Sequence, residues 1–269
     1  MAIRVVMHNR SSTAIEMNTQ TKCYIVTDLD NTLVGNTIAT QEFNQKILNC
    51  GDRVGLIYAT GRSYESAKQL QTTETLLEPQ YWITGVGSEI YQNGILDSSW
   101  SEHLKAQWHR EKIHALALEF PDLLPQPNAS QNEFKISFYL HNDNANEVLT
   151  QLRDRIATAG FAAQLIYSSN EDLDILPIRC DKGLALRHLM TALKTNNANT
   201  IVCGDSGNDI GLFKQDTLGI IVNNAQIELL NWYKDRGGDT IYYANNDHAA
   251  GIIEGLDRLK PGFFTLDES

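Results

Sequence analysis

The 269-residue chain has no apolar run of the ~18 residues that a membrane-spanning helix needs. Basic residues are scarce: 22 Lys and Arg stand against 33 Asp and Glu, for a formal net charge of −11. That balance, with no long Lys/Arg run, argues against nonspecific nucleic-acid binding, which depends on cationic side chains displacing phosphate counterions. With only 6 prolines and 18 glycines, neither collagen nor low-complexity disorder is in play. Cysteine is sparse as well. Cys23, Cys50, Cys180 and Cys203 form no CxxC pair, which excludes a zinc ribbon, a CxxC redox motif and a small disulfide scaffold. Cys23 and Cys203 sit in apolar runs, where a thiol acts as a small buried hydrophobe. All four are expected to be reduced and structural, which points to the cytoplasm. The first residues, Met1–Thr21, lack the apolar core of a secretory signal and any sustained periodicity. A flexible extension is expected there, with Met17 as an alternative start.

What the chain does have is a rhythm. Cys23–Thr27, Val54–Ala59 and Tyr81–Thr84 are short apolar runs rich in β-branched and aromatic residues, as buried strands are. Between them lie helical patterns. One is capped by Thr40, with Phe43, Ile47 and Leu48 on one face; another is capped by Ser63 and runs to about Leu77. Strands alternating with helices predict a parallel sheet with covered faces. The rhythm breaks at Glu89–Leu96, a hairpin turning at Asn93-Gly94. Then follow a helix over about Leu104–Phe120, a Pro/Asn/Ser-rich loop over Pro121–Glu133, a strand at Phe134–Leu140, a helix at Asn146–Thr158, and strands at Ala163–Ser168 and Asp172–Leu176. The first rhythm resumes with a helix from Lys182, a strand at Thr200–Cys203 and further alternation to about Arg258. The fold expected is α/β: a Rossmann-like parallel-sheet core over 22–102 and 178–269, interrupted by an inserted α/β cap domain over 103–177.

The acids are placed pointedly. Asp28-Leu29-Asp30-Asn31-Thr32 follows the first strand, and Gly204-Asp205-Ser206-Gly207-Asn208-Asp209 follows another strongly apolar one. Either alone is readily a solvated turn or a capped helix start. Two acidic loops at the carboxyl ends of strands in one sheet form an oxygen-rich cluster suited to a hard divalent cation such as Mg²⁺. Thr60-Gly61-Arg62-Ser63 opens a helix after the second strand, offering a hydroxyl and free N–H groups to an anion. Lys182, at the start of the helix after the insertion, adds a point charge for a phosphate.

In content and order these loops resemble the phosphatases of the haloacid-dehalogenase superfamily. The resemblance implies Asp28 as nucleophile and Asp30 as general acid/base. Thr60, Gly61, Lys182 and Asn208 would bind phosphate, and Asp28, Asp30 (through its carbonyl), Asp205 and Asp209 would serve an Mg²⁺ site. An α/β block between Thr60 and Lys182 resembles the superfamily's C2-type cap. The stretches DLDNT (Asp28–Thr32), YATGRSYESAKQL (Tyr58–Leu70), YWITGVGSEIY (Tyr81–Tyr91), KISF (Lys135–Phe138), DLDILP (Asp172–Pro177), VCGDSGNDIGLF (Val202–Phe213) and VNNAQIELLNWY (Val222–Tyr233) are similar to the sucrose-6-phosphate phosphatases of cyanobacteria and plants. That likeness runs from about Lys22 nearly to the end, without the extra C-terminal domain of plant members, as in the short cyanobacterial form. It implies hydrolysis of sucrose 6-phosphate by a cytoplasmic monomer, with Glu89, Lys135 and Asp172 or Asp174 around the glucosyl end, and Ser63 and Tyr64 as weaker contacts. Two rivals stand beside it: another sugar-phosphate phosphatase, such as a mannosyl-3-phosphoglycerate phosphatase, and a non-catalytic phosphatase-like partner of a sucrose-phosphate synthase. An active enzyme can also associate with such a synthase. The seven histidines are scattered, and Trp100 and Trp108 are expected to pack rather than stack on a sugar.

Overall fold

The computed structural model describes residues 22–141 and 144–265, so the expectation for residues 1–21 lies outside the described part. The expected alternation is present. Strand β1 (Cys23–Thr27), helix α1 (Thr37–Cys50), β2 (Val54–Ala59), α2 (Tyr64–Thr73) and β3 (Tyr81–Thr84) follow one another, and β1, β2 and β3 pair in parallel. The hairpin β4 (Glu89–Gln92) and β5 (Ile95–Leu96) extends this sheet antiparallel. Its turn residues Asn93 and Gly94 have φ of 50° and 78°, the positive pair that a type I′ turn needs.

Two expectations fail locally. Helix α1 is capped by Asn36, whose side chain accepts from the Ala39 N–H. Thr40 lies within the helix and donates to the Leu33 and Asn36 carbonyls, while Leu48 faces solvent. The single helix expected over Leu104–Phe120 is two, α3 (Ser98–Lys105) and α4 (Arg110–Ala117), parted where Gln107 takes φ of 64°. Asp97 caps α3, and the break lets Trp100 and Leu104 pack against the large sheet while Ile113 and Leu116 turn to a different cluster.

That cluster lies under a second sheet. Strands β6 (Leu124–Pro125), β7 (Ile136–Tyr139), β8 (Ala163–Ser168) and β9 (Asp172–Pro177), with α5 (Ala145–Thr158), form a four-stranded antiparallel sheet in the order β6-β7-β9-β8. Its buried side chains include Ile136, Phe138, Leu152, Leu173 and Ile175. The chain then returns through α6 (Lys182–Leu193), β10 (Thr200–Gly204), α7 (Ile210–Phe213), β11 (Leu218–Ile221), α8 (Ile227–Arg236), β12 (Ile241–Tyr243) and α9 (His248–Leu259).

The large sheet has the order β12-β11-β10-β1-β2-β3-β4-β5. Its central strands are buried on both faces. Cys23 and Ile25 of β1 meet α1 and α9, while Tyr24 and Val26 meet α6 and α3. Each such large side chain contributes about 1.5–3 kcal/mol by leaving water, and that burial holds the strand ends rigid. From β1 the chain proceeds outward through β2 and β3, then returns to the other side at β10. The carboxyl ends of β1 and β10 therefore flank a topological switch point, where open parallel sheets bind their ligands.

Candidate active site

Both acidic loops emerge at that point. Parallel pairing sets Thr27 beside Cys203, so the loops leave the sheet side by side, and the Asp28 N–H still donates to the Cys203 carbonyl at 3.0 Å. Asp181 caps α6, accepting from the Leu184 N–H at 2.6 Å, and so delivers Lys182 into the gap between the loops. The Lys182 ammonium is fully buried and donates to Asp28 Oδ1 and to Asp209 Oδ1, each at 2.7 Å. Asp209 Oδ2 accepts from the backbone N–H groups of Asp205 and Ser206 at 3.0 and 3.1 Å. Thr32, also buried, donates to Asp205 Oδ1 at 2.8 Å.

Asp28, Asp205 and Asp209 bring oxygens within 4.8 Å of one another. Three carboxylates around one ammonium leave a surplus of two negative charges if all ionise. Burial is expensive for that surplus. It pushes the Asp28 carboxyl up to about 7, against the pull of Lys182, and pushes Asp205 up to about 8, with Asp28 and Asp209 adding repulsion. Burial alone would lower the Lys182 ammonium, but Asp209 and Asp28 outweigh it and hold it above its usual range. Such a cluster can hold a hard cation. Both oxygens of Asp209 are engaged by Lys182 and the backbone, whereas the bonds to Asp28 and Asp205 named above use only one oxygen of each.

Asp30, two residues beyond Asp28, lies at the mouth rather than in the cluster. Arg62 grips it bidentately, Nε to Oδ2 at 2.7 Å and a terminal nitrogen to Oδ1 at 2.6 Å. Arg62 stands in the Thr60-Gly61-Arg62-Ser63 turn, yet sequence reasoning gave it no role. Its partner is 32 residues away, and only the β1–β2 pairing brings them together. The Thr60 hydroxyl is buried and accepts from the Arg62 N–H at 3.1 Å. Ser63 caps α2, with its side chain turned to the Ser66 N–H at 3.5 Å.

A cavity of about 450 Å³ opens above these loops, within the range of small-molecule sites (~300–1,000 Å³). The large sheet contributes Asp28, Asp30, Gly61, Arg62, Ser63, Asp205 and Asn208; the small sheet and its loops contribute Gln126, Ser130, Lys135, Ser168, Asp172 and Asp174. Lys135 is buried and paired with Asp174 Oδ1 at 2.8 Å; it also donates to Ser137 Oγ and to the Ser130 carbonyl at 2.9 Å. Asp172 accepts from Gln126 Nε2 at 2.7 Å, and its carboxyl is raised by burial and by Asp174.

Of the sequence-based candidates, Glu89 does not line this cavity directly: it accepts from the Thr84 hydroxyl at 3.0 Å, alongside β3, half-buried and within the field of Lys135. Tyr64 stacks on Tyr91 at 4.1 Å, and the indole N–H groups of Trp100 and Trp108 donate to the Gly87 and Glu133 carbonyls, so all three pack. Gln126 and Ser130 went unread because they lie in the Pro/Asn/Ser-rich loop, which carries no periodicity to orient a side chain.

The model of the family described as sucrose-6F-phosphate phosphohydrolase matches residues 21–260. Sucrose-phosphatase 2 of Nicotiana tabacum is 35% identical over 260 residues, covering 92% of this chain and 61% of that protein. The mannosylfructose-phosphate phosphatase of Agrobacterium fabrum is 32% identical over 236 residues, covering 86% of this chain and 94% of that protein. This chain spans between 51% and 61% of the length of the plant relatives it matches. Among solved structures, the Synechocystis sucrose-phosphatase, determined with sucrose and phosphate, superposes with a TM-score of 0.86 at 42% identity, covering 88% of this chain and 98% of that one. A haloacid dehalogenase-like hydrolase of Bacillus subtilis, at 17% identity and a TM-score of 0.62, shares the fold. The doubly covered parallel sheet, the acidic loops at its switch point and the match across nearly all described residues agree: this chain belongs to the sucrose-6F-phosphate phosphohydrolase family of the haloacid-dehalogenase superfamily.

Proposed function

We propose that this chain hydrolyses sucrose 6-phosphate to sucrose and phosphate, using Mg²⁺ and a covalent intermediate on Asp28. The observation that carries the reading is the buried Asp28–Lys182–Asp209 chain at the floor of a cavity whose other wall is lined with hydrogen-bonding groups. The donor set suits Mg²⁺, which takes one or two carboxylates and fills its shell with waters and phosphate oxygens. Asp28 and Asp205 would hold it with the Asp30 carbonyl, and Asp209 would keep Lys182 in place. Bound there, the ion would neutralise charge between the attacking carboxylate and the phosphate.

In the first step the free Asp28 oxygen attacks phosphorus as the ester oxygen leaves, taking a proton from Asp30. In the second, Asp30 takes a proton from water, whose oxygen attacks phosphorus and releases the Asp28 carboxylate and phosphate. Arg62 would hold the Asp30 side chain in place at the mouth of the cavity through both steps. Lys182, Asn208, Thr60 and the Gly61 N–H would hold phosphoryl oxygens. Ser63, Lys135, Asp172 and Asp174 would meet sugar hydroxyls. On this reading residues 103–177 form the cap domain and close over the sugar, excluding water.

No helix among the described residues is long and apolar enough to cross a membrane. The four cysteines are free and buried, which supports a reducing, cytoplasmic setting. A monomer, alone or associated with the synthase that makes its substrate, is the working assignment. The relative that acts on mannosylfructose phosphate makes a second disaccharide phosphate worth testing beside the first. The test is phosphate release from sucrose 6-phosphate, mannosylfructose phosphate, mannosyl-3-phosphoglycerate and glucose 6-phosphate, with Mg²⁺ and after chelation. Preference for sucrose 6-phosphate is expected; equal rates on all four would refute the substrate, and full activity after chelation would refute the metal.

A further inference from the structure

We propose that Glu228 is a positioning residue that latches the β8–β9 turn onto the loop after β10, and so fixes the closed geometry of the cavity; the inference rests on the substrate reading above. Glu228 sits in the first turn of α8, where an acid already suits the helix dipole. Its carboxylate does more than that. Oε1 accepts from the Ser169 N–H at 2.8 Å, on the small-sheet side, and from the Gly207 N–H at 3.4 Å, on the large-sheet side. One charged oxygen thus ties together two elements, neither of them its own helix, by charge-assisted bonds. The neighbouring residues also meet across the seam, where Asn208 Nδ2 reaches Ser168 Oγ at 3.5 Å.

Gly207 shows how tight this seam is. A Cβ there would stand 2.6 Å from the Tyr167 carbonyl and 2.8 Å from Glu228 Cγ, so only glycine lets the two sheets approach this closely. Position gives the contact leverage. The chain joins the two sheets at the α3–α4 break and after Pro177, and the six-residue β9 sets its turn about 20 Å from that second joint. Asn132 Nδ2 donates to Ser88 Oγ at 2.7 Å in a separate contact between the two units. Ser168, Ser169, Ser206 and Asn208 all line the cavity, so loosening Glu228 moves its wall.

The experiment places spin labels at exposed sites, Arg153→Cys on α5 and Lys234→Cys on α8, with the native cysteines buried. Distances are read in the otherwise unsubstituted protein and with Glu228→Ala or Glu228→Gln. Loss of both bonds should lengthen and broaden the distance distribution in Glu228→Ala. It should also raise KM for sucrose 6-phosphate about tenfold, because the binding-competent closed state is less populated. Hydrolysis of p-nitrophenyl phosphate, which has no sugar to reach the small sheet, should change less than about twofold. Glu228→Gln keeps an oxygen acceptor and should restore most of both effects. An unmoved distance distribution in Glu228→Ala overturns the latch, and so does a parallel fall in activity on both esters. Failure of the unsubstituted protein to hydrolyse sucrose 6-phosphate would refute the substrate instead, leaving the distances to decide the latch.

Discussion

Two lysines are buried in the described structure, Lys182 beneath the floor of the cavity and Lys135 in its far wall, and they are held in opposite ways. Lys182 lies between two carboxylates, with a third within reach, so its surroundings carry surplus negative charge. Lys135 has one direct carboxylate partner, Asp174, and its other bonds go to a hydroxyl and a backbone carbonyl. The first arrangement is balanced only when something positive, a proton or a metal, joins it. The second pairs its ammonium with one carboxylate and, with Asp172 beside the pair, offers many directional hydrogen-bonding groups. A charge-deficient wall suits phosphoryl transfer, where negative charge must be absorbed. A wall of paired charges and hydrogen-bonding side chains suits the recognition of neutral hydroxyls.

The sharpest break of this comparison is Asp28→Asn. It removes the proposed nucleophile and one of the surplus charges together, so kcat for sucrose 6-phosphate should fall at least about 10³-fold while the fold persists. A single-turnover assay alongside a thermal melt reads both. Next in size is the coupling of metal to pH. Folding lifts the Asp28 and Asp205 carboxyls above their usual 3.8, to about 7 and about 8, so between those limits the metal-free folded state holds more protons than the unfolded chain. Their contribution is then fully present below about pH 4 and is lost as pH rises through 7 and 8. Melting temperatures without metal should decline over pH 5 to 8 for this pair. Saturating Mg²⁺ should flatten or reverse the trend, because the ion takes the protons' place. A metal-free melt that rises steadily over that window would contradict the charge surplus.

The Lys135–Asp174 pair should behave differently. Lys135→Met leaves Asp174 buried without its cation, and Asp174→Leu strands the ammonium; each should cost about 3–5 kcal/mol in denaturant unfolding. The double variant should recover most of that loss, since two apolar groups can replace a balanced pair. It should not recover the KM for sucrose 6-phosphate. No such rescue is expected around Lys182, where removing the lysine leaves more than one buried acid.

The Lys182 wall was much the more legible of the two in sequence. Asp28, Asp30, Thr60, Asp205 and Asp209 all follow apolar strands, and alternation alone places the ends of parallel strands together. Lys182 follows from a capped helix start. The Lys135 wall follows no such rule. Its residues come from antiparallel strands and from the Pro121–Glu133 loop, where side-chain direction depends on register and on turns without periodicity. Glu89 shows the same dependence on register: its β-hairpin position sets it opposite Thr84, whose hydroxyl it accepts from, and near enough to Lys135 to feel its charge. The break at Gln107 and the short β6 were invisible because tertiary packing made them, with Leu104 drawn to one core and Ile113 to another. Arg62 was in plain view, but its importance lies in a partner on a different strand loop.

The finest test uses one hydroxyl from each wall. Ser137 Oγ accepts from Lys135 and donates to Asp174 Oδ1 at 2.6 Å, while Thr32 Oγ1 donates to Asp205 Oδ1 at 2.8 Å. Both are buried, and Ser137→Ala or Thr32→Val deletes the hydroxyl with little change of shape. Each should cost about 1 kcal/mol of stability, the net worth of a typical hydrogen bond. Their functional signatures should diverge. Without Ser137, the Lys135–Asp174 pair survives by direct contact, but its orientation loosens, so KM for the sugar phosphate should rise about threefold with kcat and the Mg²⁺ requirement unchanged. Without Thr32, Asp205 loses a buried donor that steadies its carboxylate, so the Mg²⁺ concentration for half-maximal rate should shift about as much, with KM at saturating metal unchanged. Crossed signatures, with Ser137→Ala moving the metal titration or Thr32→Val moving the sugar KM, would show that the two walls act as one network and that their division of labour is wrong.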